Sequence, residues 1–277
     1  MDSLTPTAAG KTEALAARYG RDAIPPAGPW NETIAGMLGH RSVRAYRPDP
    51  VPEGTLETLV AAASSAATSS NLQTWSVVAV RDPATLAALA EVASGQKHIR
   101  QCPLFLVWVA DLSRNARLGE AEGVTLEGLP YFESFLVAAV DAALAAQNAV
   151  VAAESLGLST VYIGALRNDV ERVAGLLGLP PGAVGVFGLC VGYAANPGEV
   201  KPRLPQATVL HHERYGTDAE AAQRAAYDDL LRDFSARNEM GPETWTRRVI
   251  NRIGTLKAMA GRDRLAAAMR ALGFPLR

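Results

Sequence analysis

"PLFLVWVAD", residues 103–111, is the stretch on which the fold turns. Its side chains are apolar, β-branched and aromatic, and a run of that length and composition reads as a buried strand. Three further stretches share the character: "WSVVAVR" (75–81), "STVYIG" (159–164) and "AVGVFGLCVGY" (183–193). Between the first two strands "PATLAALAEVA" (83–93) opens on proline as a helix does, and "RNDVERVAGLLG" (167–178) is the helix between the last two. "VPEGTLETLVAAASSAA" (51–67) reads as a helix entered after Pro52, with Leu56, Leu59, Val60 and Ala63 on one face. Strands confined to 75–193, with helices among and outside them, predict an α+β or α/β layered domain around one sheet.

The ends of the chain are helical. "KTEALAARYG" (11–20) has a helical pattern, and the Pro-rich "AIPPAGPWNET" (23–33) forbids helix until after Trp30. Asn31 or Thr33 is the expected cap of "ETIAGMLGH" (32–40). Past Tyr193 a Pro-rich coil leads to "DAEAAQRAAYDDLLRDFSAR" (218–237), then to "PETWTRRVINRIGTLKAMA" (242–260) and "RDRLAAAMRALG" (262–273), all helical. "SRNARLGEAEGVTLEGLPYFE" (113–133) is long for a connection in a compact domain and is expected to be a lid or a disordered segment. The expected division is an N-terminal arm over 1–39, a core over 40–215 and a helical extension over 216–277.

Composition narrows the class. The 277 residues are 48% hydrophobic and 20% charged, enough to bury a core, and the net charge of −1 argues against a general nucleic-acid or membrane-surface binder. Cys102 and Cys190 both sit in apolar runs as buried thiols, without a disulfide framework or metal spacing, which points to the cytoplasm. "MDSLTPTAAG" (1–10) lacks the basic start and apolar run of a signal peptide. "FLVAAVDAALAAQNAVVAA" (135–153) is the candidate membrane span, but Asp141, Gln147 and Asn148 would lie in hydrocarbon, so it reads as a core helix of a soluble protein.

Polar blocks punctuate this framework. "GHRSVRAYRPD" (39–49) carries three arginines and a histidine. An arginine fork pairs a phosphate or a planar carbonyl edge through two parallel hydrogen bonds, and Ser42 adds a donor, yet the same spacing suits a solvated turn equally well. "ATSSNLQTWS" (67–76) breaks helical periodicity just before a strand, and its polar side chains need either backbone partners in a turn or a polar ligand. "GQKH" (95–98) is polar, "VYIGAL" (161–166) ends a strand at Gly164 where backbone can approach a flat ligand, and "VKPRLP" (200–205) holds two cations stiffly between prolines. The glycines of "GAVGVFG" (182–188) lie inside a strand and make no phosphate loop. "HHE" (211–213) has no supporting metal ligands, and there is no nucleophile elbow for hydrolysis.

Taken in order, "HRSVRAY", "ATSSNLQTWS", "GQKH", "AAESLGLSTVYIGALRN", "FGLCVGY" and "KPRLP" resemble the FMN-dependent nitroreductase family, nearest to its NADPH-preferring, oxygen-insensitive nitro/flavin reductases. The resemblance runs over 39–215 and more thinly to 245. It implies an α+β fold with a mixed sheet flanked by helices, and a homodimer with FMN at the subunit interface and terminal segments embracing the partner. It implies that His40, Arg41, Ser42 and Arg203 meet the FMN phosphate and ribityl end, with Arg44 and Lys201 nearer the ring or the incoming nicotinamide. Thr68, Ser69, Ser70 and Gln73 would line the pyrimidine and ribityl side, Gln96 and His98 the same pocket, and Tyr162, Ile163, Gly164 and Ala165 the ring. Arg237 and Lys257 join Arg44 as candidates for the NADPH phosphate, Ala165 stands where the family commonly has glycine, and the arm before 39 is longer than in compact members. The implied activity is ping-pong transfer of two electrons from NADPH (or NADH) through FMN to nitroaromatics, quinones or free flavins, the chemistry residing in the flavin and not in a side chain. The alternatives are a reductase feeding reduced FMN to a partner oxygenase, and a non-catalytic module that holds FMN or another nucleotide.

Overall fold

The computed structural model describes residues 8–277; residues 1–7, most of the start read above as unlike a signal peptide, lie outside them. In chain order the helices and strands are α1 (Ala8–Tyr19), α2 (Glu32–Leu38), α3 (Thr55–Ser64), β1 (Trp75–Val80), α4 (Pro83–Val92), α5 (His98–Gln101), β2 (Leu104–Asp111), α6 (Ser113–Glu122) and α7 (Phe132–Ser155). There follow β3 (Ser159–Ile163), α8 (Val170–Leu177), β4 (Ala183–Gly192), α9 (Gln206–Val209), α10 (Glu220–Arg237), α11 (Trp245–Ile253), α12 (Leu256–Met259) and α13 (Leu265–Ala271). The described residues fall into two compact units, one formed by 8–41 with 198–258 and the other by 42–197 with 259–277.

The larger unit is built on β2, buried at every position. The sheet order is β1-β2-β4-β3, and every neighbouring pair is antiparallel. Along β2 the side chains alternate between two cores. Phe105, Val107 and Val109 pack with Leu86 and Leu89 of α4 and Val173 of α8; Leu104, Leu106 and Trp108 pack with Leu59 of α3 and Ala145, Ala149 and Val150 of α7. Cover on both faces is why the strand reads as one continuous apolar run rather than as an alternation. The expected mixed character is confined to a parallel bridge between Ser42 and Thr160, where Val43 donates its N–H to Thr160 O at 3.0 Å. Gly188 is sterically required: a Cβ there would lie 2.4 Å from Cζ of Phe105.

The segment expected to be a lid or disordered is instead helical over its first half, as α6. The polar composition hid the helix, but its end signals are physical ones. Asp111 Oδ1 accepts from the Ser113 N–H at 3.0 Å and from its hydroxyl at 2.5 Å, and Gly123 stops the helix in the left-handed region at φ 65°. Asn31, not Thr33, caps α2, accepting from the Ile34 N–H at 2.9 Å.

α7 is long and apolar enough by composition to cross a membrane. Its alanines at 142, 145, 146, 149 and 153 are buried, and several of them bring its backbone close to the sheet. Asp141 on that inner side is 2% exposed and accepts four hydrogen bonds: from Thr68 Oγ1 at 2.5 Å, the Ser69 N–H at 3.1 Å, the Thr74 N–H at 3.2 Å and Thr74 Oγ1 at 3.0 Å. These bonds fold 68–74 into a turn in which Ser70, Asn71 and Gln73 have φ of 48°, 56° and 51°, a left-handed conformation that costs free energy in any residue bearing a Cβ. The carboxylate compensates that strain. Asp141→Asn replaces one acceptor oxygen by a donor that faces donors, so it should lower stability by about 1–3 kcal/mol in urea unfolding. An unchanged midpoint would show that the turn holds without the carboxylate.

Candidate functional site

The smaller unit gathers one set of candidates. α1 ends at Tyr19, and Arg18 is 6% exposed. Its Nη1 donates to Lys201 O at 2.7 Å, and its Nη2 donates to His40 O at 3.0 Å and to Leu38 O. In return the Arg203 N–H donates to Arg18 O at 2.8 Å. Tyr227 of α10, itself buried, donates its hydroxyl to Pro202 O at 3.0 Å. Burial raises the Tyr227 phenol, while the charges of Arg203, Arg248 and Arg18 oppose the rise. Thus 38–40 and 201–203, far apart in sequence, are held on one guanidinium. His40 and Lys201 are half-buried, and the side chains of Arg41 and Arg203 are exposed. Arg237 lies against Glu199, Nη2 to Oε2 3.4 Å, and Lys257 is exposed.

The larger unit holds the other candidates, in two places. At one end of the sheet Arg44, exposed, acts through its charge on His98, Tyr46 and Cys190. Tyr46 donates its hydroxyl to Val43 O at 2.9 Å, which fixes the segment carrying Ser42 and Arg44. His98 opens α5 and is 8% exposed; Cys190 Sγ donates to its carbonyl at 3.7 Å. Its Nε2 is buried without a hydrogen-bond partner among the described residues, the kind of orphan that a polar ligand satisfies. Gln96 follows the left-handed Ser94 and Gly95, and Asn168 ties that turn down by donating Nδ2 to Val92 O at 3.0 Å and to Ser94 Oγ at 3.2 Å. Beside it β3 ends and a 3-10 turn begins at Gly164. Ile163 is 1% exposed and Ala165 packs on the same core, so these two offer a ligand their main chain and not their side chains. Tyr162 stacks edge-on to Phe187, centroids 5.0 Å apart, and its hydroxyl donates to Gln147 Oε1 at 3.3 Å.

The Thr68–Gln73 turn lies elsewhere. It leads into Trp75, which pairs with Ala110 at one end of β2, whereas His98 leads into Leu104 at the other. Six steps of about 3.3 Å, from Leu104 to Ala110, separate those positions by roughly 20 Å. One chain therefore does not bring Thr68, Ser69, Ser70 and Gln73 to Arg44 and His98. The Thr68 hydroxyl is bonded to Asp141 and accepts from the Gln73 N–H at 3.1 Å, so it serves the turn; Ser69, Ser70 and Gln73 remain exposed. Ser69, Leu72 and Thr74 open onto a cleft of about 620 Å³ shared with Asn115, Leu126, Leu129, Glu133 and Val137.

Two contributors escaped the sequence reading. Arg18 sits in a pattern that looks like an ordinary solvated helix, and nothing local marks its carbonyl partners. Asp141 was visible as an acid in an apolar helix, but its donors lie 67 to 73 residues away.

His98 has a pH signature. Burial lowers its pKa below the ordinary 6.5, and the Arg44 charge lowers it further. On acidification the unfolded chain therefore takes up this proton first, and the stability gained from a neutral His98 is lost as pH falls below about 6.5. His98→Gln should lose less thermal stability than the wild type between about pH 7.5 and about pH 5.5. Equal losses would remove His98 as the source.

The description "Nitroreductase family" matches residues 37–193, and "Nitroreductase family, C-terminal domain" matches 201–277. The chain is 37% identical over 226 residues to the FMN reductase (NADPH) of Bacillus subtilis strain 168, covering 80% of this chain and 91% of that one. It is 39% identical over 202 residues to the oxygen-insensitive NADPH nitroreductase of Salmonella typhimurium, covering 73% and 82%. The solved structure of B. megaterium NfrA2 superposes with a TM-score of 0.84 at 35% identity, over 90% of this chain and 100% of that chain. With its sheet, its helices and both matched regions in agreement, the chain belongs to the nitroreductase family.

Proposed function

We propose that this protein is a flavoprotein oxidoreductase that holds FMN, takes electrons from NADPH (or NADH) and passes two at a time to nitroaromatics, quinones or free flavins, donor and acceptor using one open place in turn. The observation that carries the reading is that the two family matches run through every candidate site residue, from His40 to Lys257, in relatives named as FMN reductase and NADPH nitroreductase. The donor set fits the cofactor: guanidinium forks suit a phosphate, and the orphaned Nε2 of His98 suits a polar ring edge. When bound, FMN supplies the hydride chemistry.

The chain's own residues then bind and orient. His40, Arg41, Ser42 and Arg203 take the phosphate and ribityl end. Arg44 and Lys201 supply fixed positive charge toward the ring, where reduction adds negative charge, and a partly desolvated setting strengthens that attraction. Gln96 and His98 present polar groups, and 162–165 presents main chain to the flat surface. Arg44, Arg237 and Lys257 are the candidates for the nicotinamide donor's phosphate. Arg237 must leave Glu199 to serve there. Two buried free thiols suit a cytoplasmic setting.

The site is proposed to be completed by a second copy. Two observations support this. The turn at Ser69–Gln73 is a sheet length away from Arg44 and His98 within one chain, and α7 carries an exposed apolar stripe. Phe132, Leu136, Val140 and Leu144 recur every four residues on its outer side and are 43–51% exposed. A homodimer seated on that stripe would bury it and could bring one copy's turn to the other's cations.

The purified protein should be yellow and should bleach when NADPH is added without air; colourless protein that takes up no flavin would overturn the reading. Arg41→Ala and Arg203→Ala should each weaken FMN binding by about 1.5–3 kcal/mol. Unchanged flavin content in both would place the phosphate elsewhere. Leu136→Glu combined with Leu144→Glu should convert a dimer to a monomer in sedimentation and release FMN. A wild-type monomer carrying its full complement of FMN would exclude the two-copy site.

A further inference from the structure

We infer that Arg18, in the N-terminal arm, is a positioning residue for phosphate recognition: its guanidinium locks the two cation-bearing segments together and neutralises the carbonyl end of α2 that would otherwise face the anion. The inference rests on the proposed placement of the FMN phosphate at His40, Arg41 and Arg203.

Three observations carry it. First, a guanidinium 6% exposed would be costly to bury without partners, and three main-chain oxygens are among those it has: Lys201 O at 2.7 Å, His40 O at 3.0 Å and Leu38 O. Bonding to backbone fixes where the chain runs whatever the side chains do, and these carbonyls belong to residues flanking or bearing the proposed phosphate ligands. Second, the pairing is reciprocal. The Arg203 N–H donates to Arg18 O at 2.8 Å, and Tyr227 holds the intervening Pro202 O at 3.0 Å. Segment 201–203 is thus fixed at three consecutive residues. Third, Leu38 is the last residue of α2 and His40 follows its cap Gly39, at the end where helix carbonyls lack helical partners and the helix dipole presents partial negative charge. A phosphate approaching His40 and Arg41 meets that end. Arg18 occupies the carbonyls and supplies the compensating charge, which a neutral donor would not.

The arm is folded so that Arg18 is delivered there. Lys11, two turns earlier on α1, donates to Ala27 O and Gly28 O at 2.5 Å each and lies 5.9 Å over the Trp30 ring, which closes the Pro-rich stretch back on the helix. Gly20 ends α1 at φ 86°. Residues 1–36 lie outside both family matches, so this clamp belongs to a part of the chain that the family description does not cover.

The test compares FMN with riboflavin, which has the same ring and ribityl chain but no phosphate, by fluorescence titration of flavin-free protein. Arg18→Met should weaken FMN binding about tenfold or more and leave riboflavin within about twofold. Arg18→Lys keeps the charge without the fork and should fall between. Tyr227→Phe, which removes only the bond to Pro202, should weaken FMN by about threefold with the same selectivity. If Arg18→Met does not fold, Arg18→Lys and Tyr227→Phe decide the matter. FMN affinity equal to wild type in folded variants overturns the inference, as does an equal loss of FMN and riboflavin, which would mark Arg18 as merely structural. A wild-type protein that binds neither flavin overturns the functional reading itself, and the inference with it.

Discussion

The Asp141 carboxylate is the interaction on which the sheet-bearing unit turns. It is a single charge at 2% exposure inside an apolar helix, and water's place around it is taken by two hydroxyls and two backbone N–H groups from a single turn. Such a group imposes a conformation on its donors, because any one of them moved away leaves the others around an underbonded charge. The turn can therefore run through the left-handed region at Ser70, Asn71 and Gln73 without a glycine. It also ties α7 to the start of β1, so the packing of the helix on the sheet and the presentation of Ser69, Ser70 and Gln73 are one event.

In the smaller unit the same logic appears with the sign reversed. There a buried cation, Arg18, organises backbone acceptors, and the cations proposed for the phosphate are left exposed at Arg41 and Arg203. Both devices separate two tasks. A buried ion bonded to main chain sets geometry, and exposed side chains nearby remain available to bind. That separation suits a protein whose chemistry comes from a carried group, since the chain need only hold a shape and a field.

How much of this was legible in the sequence follows from the range of the interactions. The four strands were readable to within a residue or two because "PLFLVWVAD" and its neighbours carry their burial in local composition. α6 was not, because only Leu118 among its residues is large and apolar, and its start depends on Asp111 just outside it. The candidate cations were readable as clusters, but single blocks could not choose between a ligand and a solvated turn; the resemblance carried by their order along the chain implies a ligand. That the segments around residues 40 and 203 meet was implied by the resemblance alone, and what holds them together was not readable. The bond between Arg18 and Lys201 spans 183 residues, and no periodicity reports it. The distance between the Thr68–Gln73 turn and His98 follows only from strand register, which pairs Trp75 with Ala110 and places His98 before Leu104.

Phe105 and Gly188 carry a consequence for how this sheet can change. The absent Cβ of Gly188 is the space that the Phe105 ring fills, at a would-be separation of 2.4 Å. Neither position is free to drift by itself: a methyl at 188 collides with the ring, and a smaller side chain at 105 leaves a void between β2 and β4. Descendants of this chain should alter the pair jointly or keep both, so the two sites form a single heritable unit although they stand 83 positions apart.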